Sequence, residues 1–146
     1  MTKQTLIEQA ISIALTAHKD KLDKGGRAYI LHPLRIMNTM ETTEEKIVAL
    51  LHDVVEDSNI TILQLKENGF PKKVLKAVAL LTKNENQEYE KYIEAIKINP
   101  LATKVKLADL KDNMNLTRLE KITEADKLRM KKYKAAYKLL TAPNQR

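Results

Sequence analysis

Apolar positions recur every three to four residues along almost the whole chain, which is the spacing of one face of an α-helix. Leu6, Ile7, Ala10, Ile11, Ala14 and Leu15 mark a first helix over residues 3–19. Residues 19–27 are polar, hold two of the three glycines and read as a loop. Pro33 suits the first turn of a second helix, where a missing N–H is no loss, with Leu34, Ile36, Met37 and Met40 behind it. Thr42 and Glu45 have capping-box spacing and predict a helix over about 44–56, with Ile47, Leu50, Leu51, Val54 and Val55 on its core side. Thr61 and Gln64 repeat that signal for a short helix that ends at Asn68 and Gly69. Pro71 opens a helix with Val74, Leu75, Val78 and Leu81 buried, and another over 88–97 turns Tyr89, Tyr92, Ile93 and Ile96 inward. Asn99 as N-cap and Pro100 at the first position start a helix over about 100–118. Thr123 to Asp126 begin a last helix to Leu140, cationic on its outer side, and the tail 142–146 is expected to fray.

The predicted architecture is therefore all-α: a compact multi-helix bundle in one domain spanning 1–146. Composition agrees, with 3 glycines, 4 prolines, 43% hydrophobic and 31% charged residues, the balance of a soluble globular chain. There is no cysteine, which excludes disulfides and thiolate ligands, so any metal must be held by His, Asp or Glu. No apolar run approaches the ~20 residues of a membrane span, and no signal-peptide pattern opens the chain, so the expected location is cytoplasmic. A formal net charge of +7 favours an anionic partner, although a basic surface also serves solubility alone. With aromatics at 4% and no helix-turn-helix pattern, a nucleotide is favoured over nucleic acid; oligomeric state is left open.

The chemistry concentrates on one stretch, Leu51-His52-Asp53-Val54-Val55-Glu56-Asp57. At about 100° per residue, His52, Asp53, Glu56 and Asp57 fall on the face opposite the apolar one. A solvated acidic face is the plain alternative. On the helix that starts at Pro100, Lys104, Lys111, Asp112 and Asn115 share one arc, and Asp109 is expected opposite it between apolar flanks, with Asn113 one turn on. A carboxylate there is buried, and a buried charge is costly unless paired or metal-bound. Metal ligation and a pairing with a lysine such as Lys106 both answer that cost. His32 stands at the entrance of the proline-started helix. His32, His52, Asp53 and Asp109 thus come from three helices and form a thiolate-free set suited to Mn²⁺, Fe²⁺ or Zn²⁺. One ion with open positions would polarise a phosphoryl oxygen and lower the pKa of a bound water. Glu56 and Asp57 are spaced to orient or deprotonate that water. The cations of the glycine loop could cradle phosphate oxygens, or the loop is a solvated turn.

Three motifs occur in order: Tyr29-Ile30-Leu31-His32-Pro33, the stretch Leu51 to Asp57, and Asn99-Pro100 through Asp109 to Asn113-Met114. Together they resemble the HD-domain hydrolases of the RelA/SpoT type, which remove the 3′-pyrophosphate of (p)ppGpp. The resemblance runs from about Ile7 to Asn115 and more weakly to Leu140. It implies a helical fold with one divalent ion, usually Mn²⁺ and replaceable by another, held by His32, His52, Asp53 and Asp109. It implies Glu56 and Asp57 as the pair serving the attacking water. Lys24 and Asn113 match family substrate contacts, and Arg129 and Tyr133 have the spacing of an Arg–Tyr pair that holds distal phosphate in stand-alone small hydrolases, the form this chain resembles. His18, common near this point in the family, is not one of its ligands, and a structural or ligand-orienting role is expected. Three positions depart from the family pattern. Asp23 stands where an arginine often meets the guanine, Leu110 follows the last ligand where arginine is common, and Asn115-Leu116 replaces Arg-Thr.

The expectation is a Mn²⁺-dependent enzyme that converts (p)ppGpp to GDP or GTP and pyrophosphate. The alternatives are an HD-type phosphohydrolase of another nucleotide, such as NADPH or a nucleoside phosphate, and a non-catalytic basic module that binds nucleotide or nucleic acid.

Overall fold

The computed structural model describes residues 2–143. Nine α-helices follow one another among them: α1 (Lys3–Ala17), α2 (Leu31–Asn38), α3 (Thr43–Leu51), α4 (Val54–Asp57), α5 (Ile62–Glu67), α6 (Lys72–Leu81), α7 (Tyr89–Lys97), α8 (Pro100–Asn113) and α9 (Glu124–Thr141). A 3-10 turn, Leu116–Arg118, lies between α8 and α9. The described residues form no strand, only an isolated bridge between Leu22 and Ala28. Of the tail expected to fray, 144–146 lie outside the described residues.

The hub is α3. Ile47, Val48, Ala49, Leu50 and Leu51 are all buried, so the C-terminal half of this helix is apolar on every side. A helix of that kind must be enclosed, and α1, α2, α6 and α8 pack around it. Its start is fixed by the expected capping box: Thr42 accepts from the Glu45 amide at 3.1 Å and Glu45 accepts from the Thr42 amide at 3.0 Å. Thr61 with Gln64 and Thr123 with Asp126 cap α5 and α9 in the same way, and Asn99 accepts from the Ala102 amide at 2.9 Å to start α8.

Two predicted helices are shorter than expected. The helix over 44–56 is broken: α3 stops at Leu51, Asp53 takes φ −120° and ψ 9°, and α4 restarts at Val54. His52 and Asp53 therefore sit in a joint at the end of the buried helix, not on an exposed face of a continuous one. The helix over 100–118 ends at Asn113, where Met114 and Asn115 turn the chain into the 3-10 segment. Leu110 is fully buried, so at this departure from the family pattern the side chain packs in the core.

Because α3 is surrounded by other helices, its side chains have no room to relax. Leu50→Ala should cost about 2–5 kcal/mol. It should appear as a lower urea midpoint at unchanged slope.

Candidate metal centre

The joint after α3 points His52 into the interior, 4% exposed. Its Nδ1–H donates to the Ala49 carbonyl at 2.7 Å, which leaves Nε2 facing the centre. His32, also 4% exposed, is fixed the same way: Nδ1 lies 2.7 Å from Asp112 Oδ2 and Nε2 turns inward. Both Nε2 atoms converge on one oxygen of Asp109, His32 at 2.9 Å and His52 at 3.4 Å. Asn113 donates to that same oxygen at 3.2 Å, and Lys106 holds the other at 2.8 Å. One donor atom from each of His32, His52 and Asp109 lies within 4.8 Å of the others.

Asp53 closes a further side. Its Oδ2 is 3.7 Å from His52 Nε2 and accepts from the Tyr29 hydroxyl, while His18 Nε2 lies 3.1 Å from Oδ1. His18 is buried and so orients Asp53, in keeping with its expected role. Asp53 also shares a second cluster with His18 and Asp57, again within 4.8 Å. Asp57 and Glu56 are exposed on α4, and Glu56 accepts from the Lys83 amide at 2.7 Å.

The electrostatics follow from burial and opposite charge. Burial opposes ionisation of Asp109, yet Lys106 and then the two histidines hold its carboxyl well below the usual range. Burial likewise works against a charged His52, but Asp53 and Asp109 outweigh it and raise the imidazole to about 9. Asp112 is half-buried, which works against its charge, but its bonds to His32 and Arg35 hold it low. The donor set of His32, His52 and Asp109 fits a divalent cation: two imidazole nitrogens, each oriented by an acceptor on the opposite ring nitrogen, and one carboxylate, with Asp53 adjacent to His52 but grouped with His18 and Asp57.

A cavity of about 330 Å³ opens along the His32 side of the centre. Lys24, Asn113, Arg129 and Tyr133 all line it, as do Arg35 and Arg118. So do Asp23 and Leu116, two of the positions that depart from the family pattern. The glycine loop, read as either a phosphate cradle or a plain turn, carries Lys24 to the wall, and two of its amides are already bonded. Asp23 Oδ1 already accepts from the Gly25 and Arg27 amides, both at 2.9 Å. Gly25 lets the loop close on the 3-10 turn, since a Cβ there would meet the Arg118 carbonyl oxygen at 2.6 Å.

Asp112 is the main residue that sequence reasoning misplaced. It was assigned to an outer arc opposite Asp109, yet both carboxylates reach His32, one at each ring nitrogen. The signal was available: residues three apart share a helix face. Arg35 clamps Asp112 with two bonds of 2.9 Å, and Arg118 Nη2 approaches it at 3.4 Å. Tyr29, three residues before His32, was likewise unassigned to the site.

No family model matches the chain. It is 32% identical to the guanosine-3′,5′-bis(diphosphate) 3′-pyrophosphohydrolase of Aquifex aeolicus over 120 residues, 74% of this chain and 17% of that protein. It is 32% identical to the bifunctional (p)ppGpp synthase/hydrolase RelA of Mycobacterium tuberculosis over 129 residues, 78% of this chain and 17% of that one. The chain thus spans about a sixth of the length of these curated relatives. Among solved structures it is similar to a protein described as a metazoan ortholog of SpoT that hydrolyzes ppGpp and plays a role in starvation responses. The TM-score is 0.74 at 20% identity, covering 95% of this chain and 87% of the other, which shows a shared fold. An all-helical domain with a buried His/Asp centre defines the class. Within it, the chain is similar in sequence to these RelA/SpoT-type proteins over about three quarters of its own length and shares the fold of the SpoT ortholog.

Two substitutions probe the centre. Asp109→Ala leaves Lys106 and two imidazoles without their shared carboxylate. It should destabilise the metal-free protein by about 3–5 kcal/mol, and elemental analysis should find no stoichiometric divalent ion. Asp112→Asn removes no ligand but weakens the partner of His32. It should lower metal affinity roughly 10–100-fold, read by competition with a fluorescent chelator.

Proposed function

We propose that the protein is a metal-dependent 3′-pyrophosphohydrolase of (p)ppGpp, yielding pyrophosphate and GDP or GTP. The observation that carries the reading is the cavity itself. It is of nucleotide size, its wall includes His32 of the centre, and it gathers Lys24, Asn113, Arg129 and Tyr133 from three separate segments. The names of the Aquifex aeolicus and Mycobacterium tuberculosis relatives support the same chemistry. No helix among the described residues is long and apolar enough to cross a membrane.

In this reading His32, His52, Asp53 and Asp109 hold one divalent cation, with Mn²⁺ the proposed ion. When bound, that ion supplies Lewis acidity to a phosphoryl oxygen and acidifies water. Lys24 and Arg129 neutralise phosphate charge, and Asn113 and Tyr133 orient the nucleotide. Glu56 and Asp57 accept the proton of the attacking water. The water oxygen forms a bond to phosphorus, the bond from phosphorus to the ribose 3′-oxygen breaks, and that oxygen leaves as a hydroxyl after taking a proton. Glu56 is anchored by the Lys83 amide, which fixes it at the start of the 82–88 connector. The base is the open variable of the reading, because Asp23 and Leu116 line the cavity in place of the family's usual residues.

A panel of purified nucleotides with Mn²⁺ should show pyrophosphate released from ppGpp and pppGpp, with NADPH and nucleoside triphosphates left intact. Release of single phosphate from another nucleotide, with ppGpp untouched, would replace this substrate. Glu56→Gln should retain the metal yet lose turnover by roughly 100-fold or more. Wild-type turnover in that variant would remove Glu56 from the proton step.

A further inference from the structure

The two imidazoles of the centre are oriented by unlike groups. His52 Nδ1 bonds the Ala49 carbonyl, a backbone atom one turn back in its own helix, which is fixed in place. His32 Nδ1 bonds the side chain of Asp112. A carboxylate turns freely about its own side-chain bonds unless something holds it. This one stands where two cavities meet. Asp112 lines the cavity of about 330 Å³ and also a neighbouring one of about 530 Å³, which Thr39, Lys104 and Lys111 line as well. Water competes for it from both spaces. Asp109, one turn back on the same face of α8, repels it.

Arg35 opposes both effects. Its Nε donates to Asp112 Oδ1 and its Nη2 to Oδ2, each at 2.9 Å. Such a planar fork fixes the plane of a carboxylate as well as its position. Oδ2 is thereby kept 2.7 Å from His32 Nδ1. Arg35 follows His32 by three residues on α2, as Asp112 follows Asp109 on α8. His32–Asp109 and Arg35–Asp112 are two rungs between these helices, one turn apart, and His32–Asp112 is the diagonal that joins them. Among the described residues Arg35 forms no ion pair with any other acid. Arg118 does not duplicate it: its Nη2 donates to the Asp112 backbone carbonyl at 2.6 Å and stays 3.4 Å from Oδ2.

We infer that Arg35 is a positioning residue of the centre, which acts through Asp112 to hold the His32 imidazole in the orientation that receives the ion. This rests on the metal-binding function proposed above, and does not depend on which nucleotide is the substrate. The planar fork, not the positive charge alone, carries the role. A lysine at this position offers an ammonium that attracts the carboxylate without fixing its plane.

The test is Mn²⁺ affinity of the full chain without nucleotide, by competition with a fluorescent chelator. Arg35→Gln should weaken binding about 10-fold, and Arg35→Lys by nearly as much. The double variant Arg35→Gln/Asp112→Asn should bind the ion about as Asp112→Asn does alone, because both changes act on one path. Losses that add in the double variant would make Arg35 a staple between α2 and α8 that serves only the fold. Full affinity in Arg35→Gln, or full recovery in Arg35→Lys, also overturns the role. Unchanged Mn²⁺ affinity beside weakened GDP binding would make Arg35 a nucleotide contact instead. A wild-type chain that takes up no stoichiometric ion would retire the metal centre and the role of Arg35 together, whereas the other outcomes leave the centre standing.

Discussion

The Asp109 carboxylate is the interaction on which the rest of the structure depends. It is 4% exposed, inside a helix whose other inward residues include Val105 and Leu110. Bare, such a charge would cost several kcal/mol. It is held by Lys106 on one oxygen and by His32, His52 and Asn113 around the other. Those partners come from α2, the joint after α3, and α8 itself, so satisfying one carboxylate also fixes how three helices meet. The cost of burying the charge and the position of the centre are one constraint.

The break after Leu51 belongs to the same arrangement. On a continuous helix, neighbours differ by about 100° around the axis, and a histidine and an aspartate in sequence could not both reach a partner on the core side. At the joint, His52 stays helical while Asp53 leaves the helical region. His52 then turns to Asp109, and Asp53 reaches between Tyr29, His18 and His52. Local helix geometry was given up at the one place where two adjacent side chains must serve one centre, and side-chain bonds to Asp53 replace what the backbone lost.

Much of the fold was legible because its signals are local. Thr42, Thr61, Asn99 and Thr123 each cap the helix their spacing announced, and Ile47, Leu50 and Leu51 are buried as expected, with Val48 and Ala49 buried beside them. The site was legible as residue types, and His32, His52 and Asp109 do converge. What the sequence hid depends on contacts between distant segments. A period of 3.6 residues carries through His52 and Asp53 without showing the joint, because tertiary bonds to Asp53 make it. For Asp112 the i,i+3 spacing from Asp109 was legible, while its partner His32, 80 residues away in the chain, was not. Leu110 looked like a change in base recognition, yet helix packing alone decides its place in the core.

The net charge of +7 acquires a location as well. Read as a total, it is equally a device for solubility or a lure for any anion. In three dimensions many cations are already spent. Lys104 is paired with Glu45 and Glu41, and Arg35 with Asp112. Others stand at the centre even where they are paired: Lys24 on the cavity wall beside Arg118 and Arg129, which face Asp112 and Asp126, and Lys106 against Asp109. Charges of one sign repel, and holding them together around low-dielectric walls works against folding unless something is gained. What is gained is a focused field at the mouth of a buried acidic centre. On the function proposed above, that field draws in a polyanion whose own charge would otherwise be turned away by Asp53, Glu56 and Asp57. In that proposed function the basic residues and the carboxylates are halves of one device, in which the carboxylates serve the reacting bond and the cations make it possible for an anion to approach them.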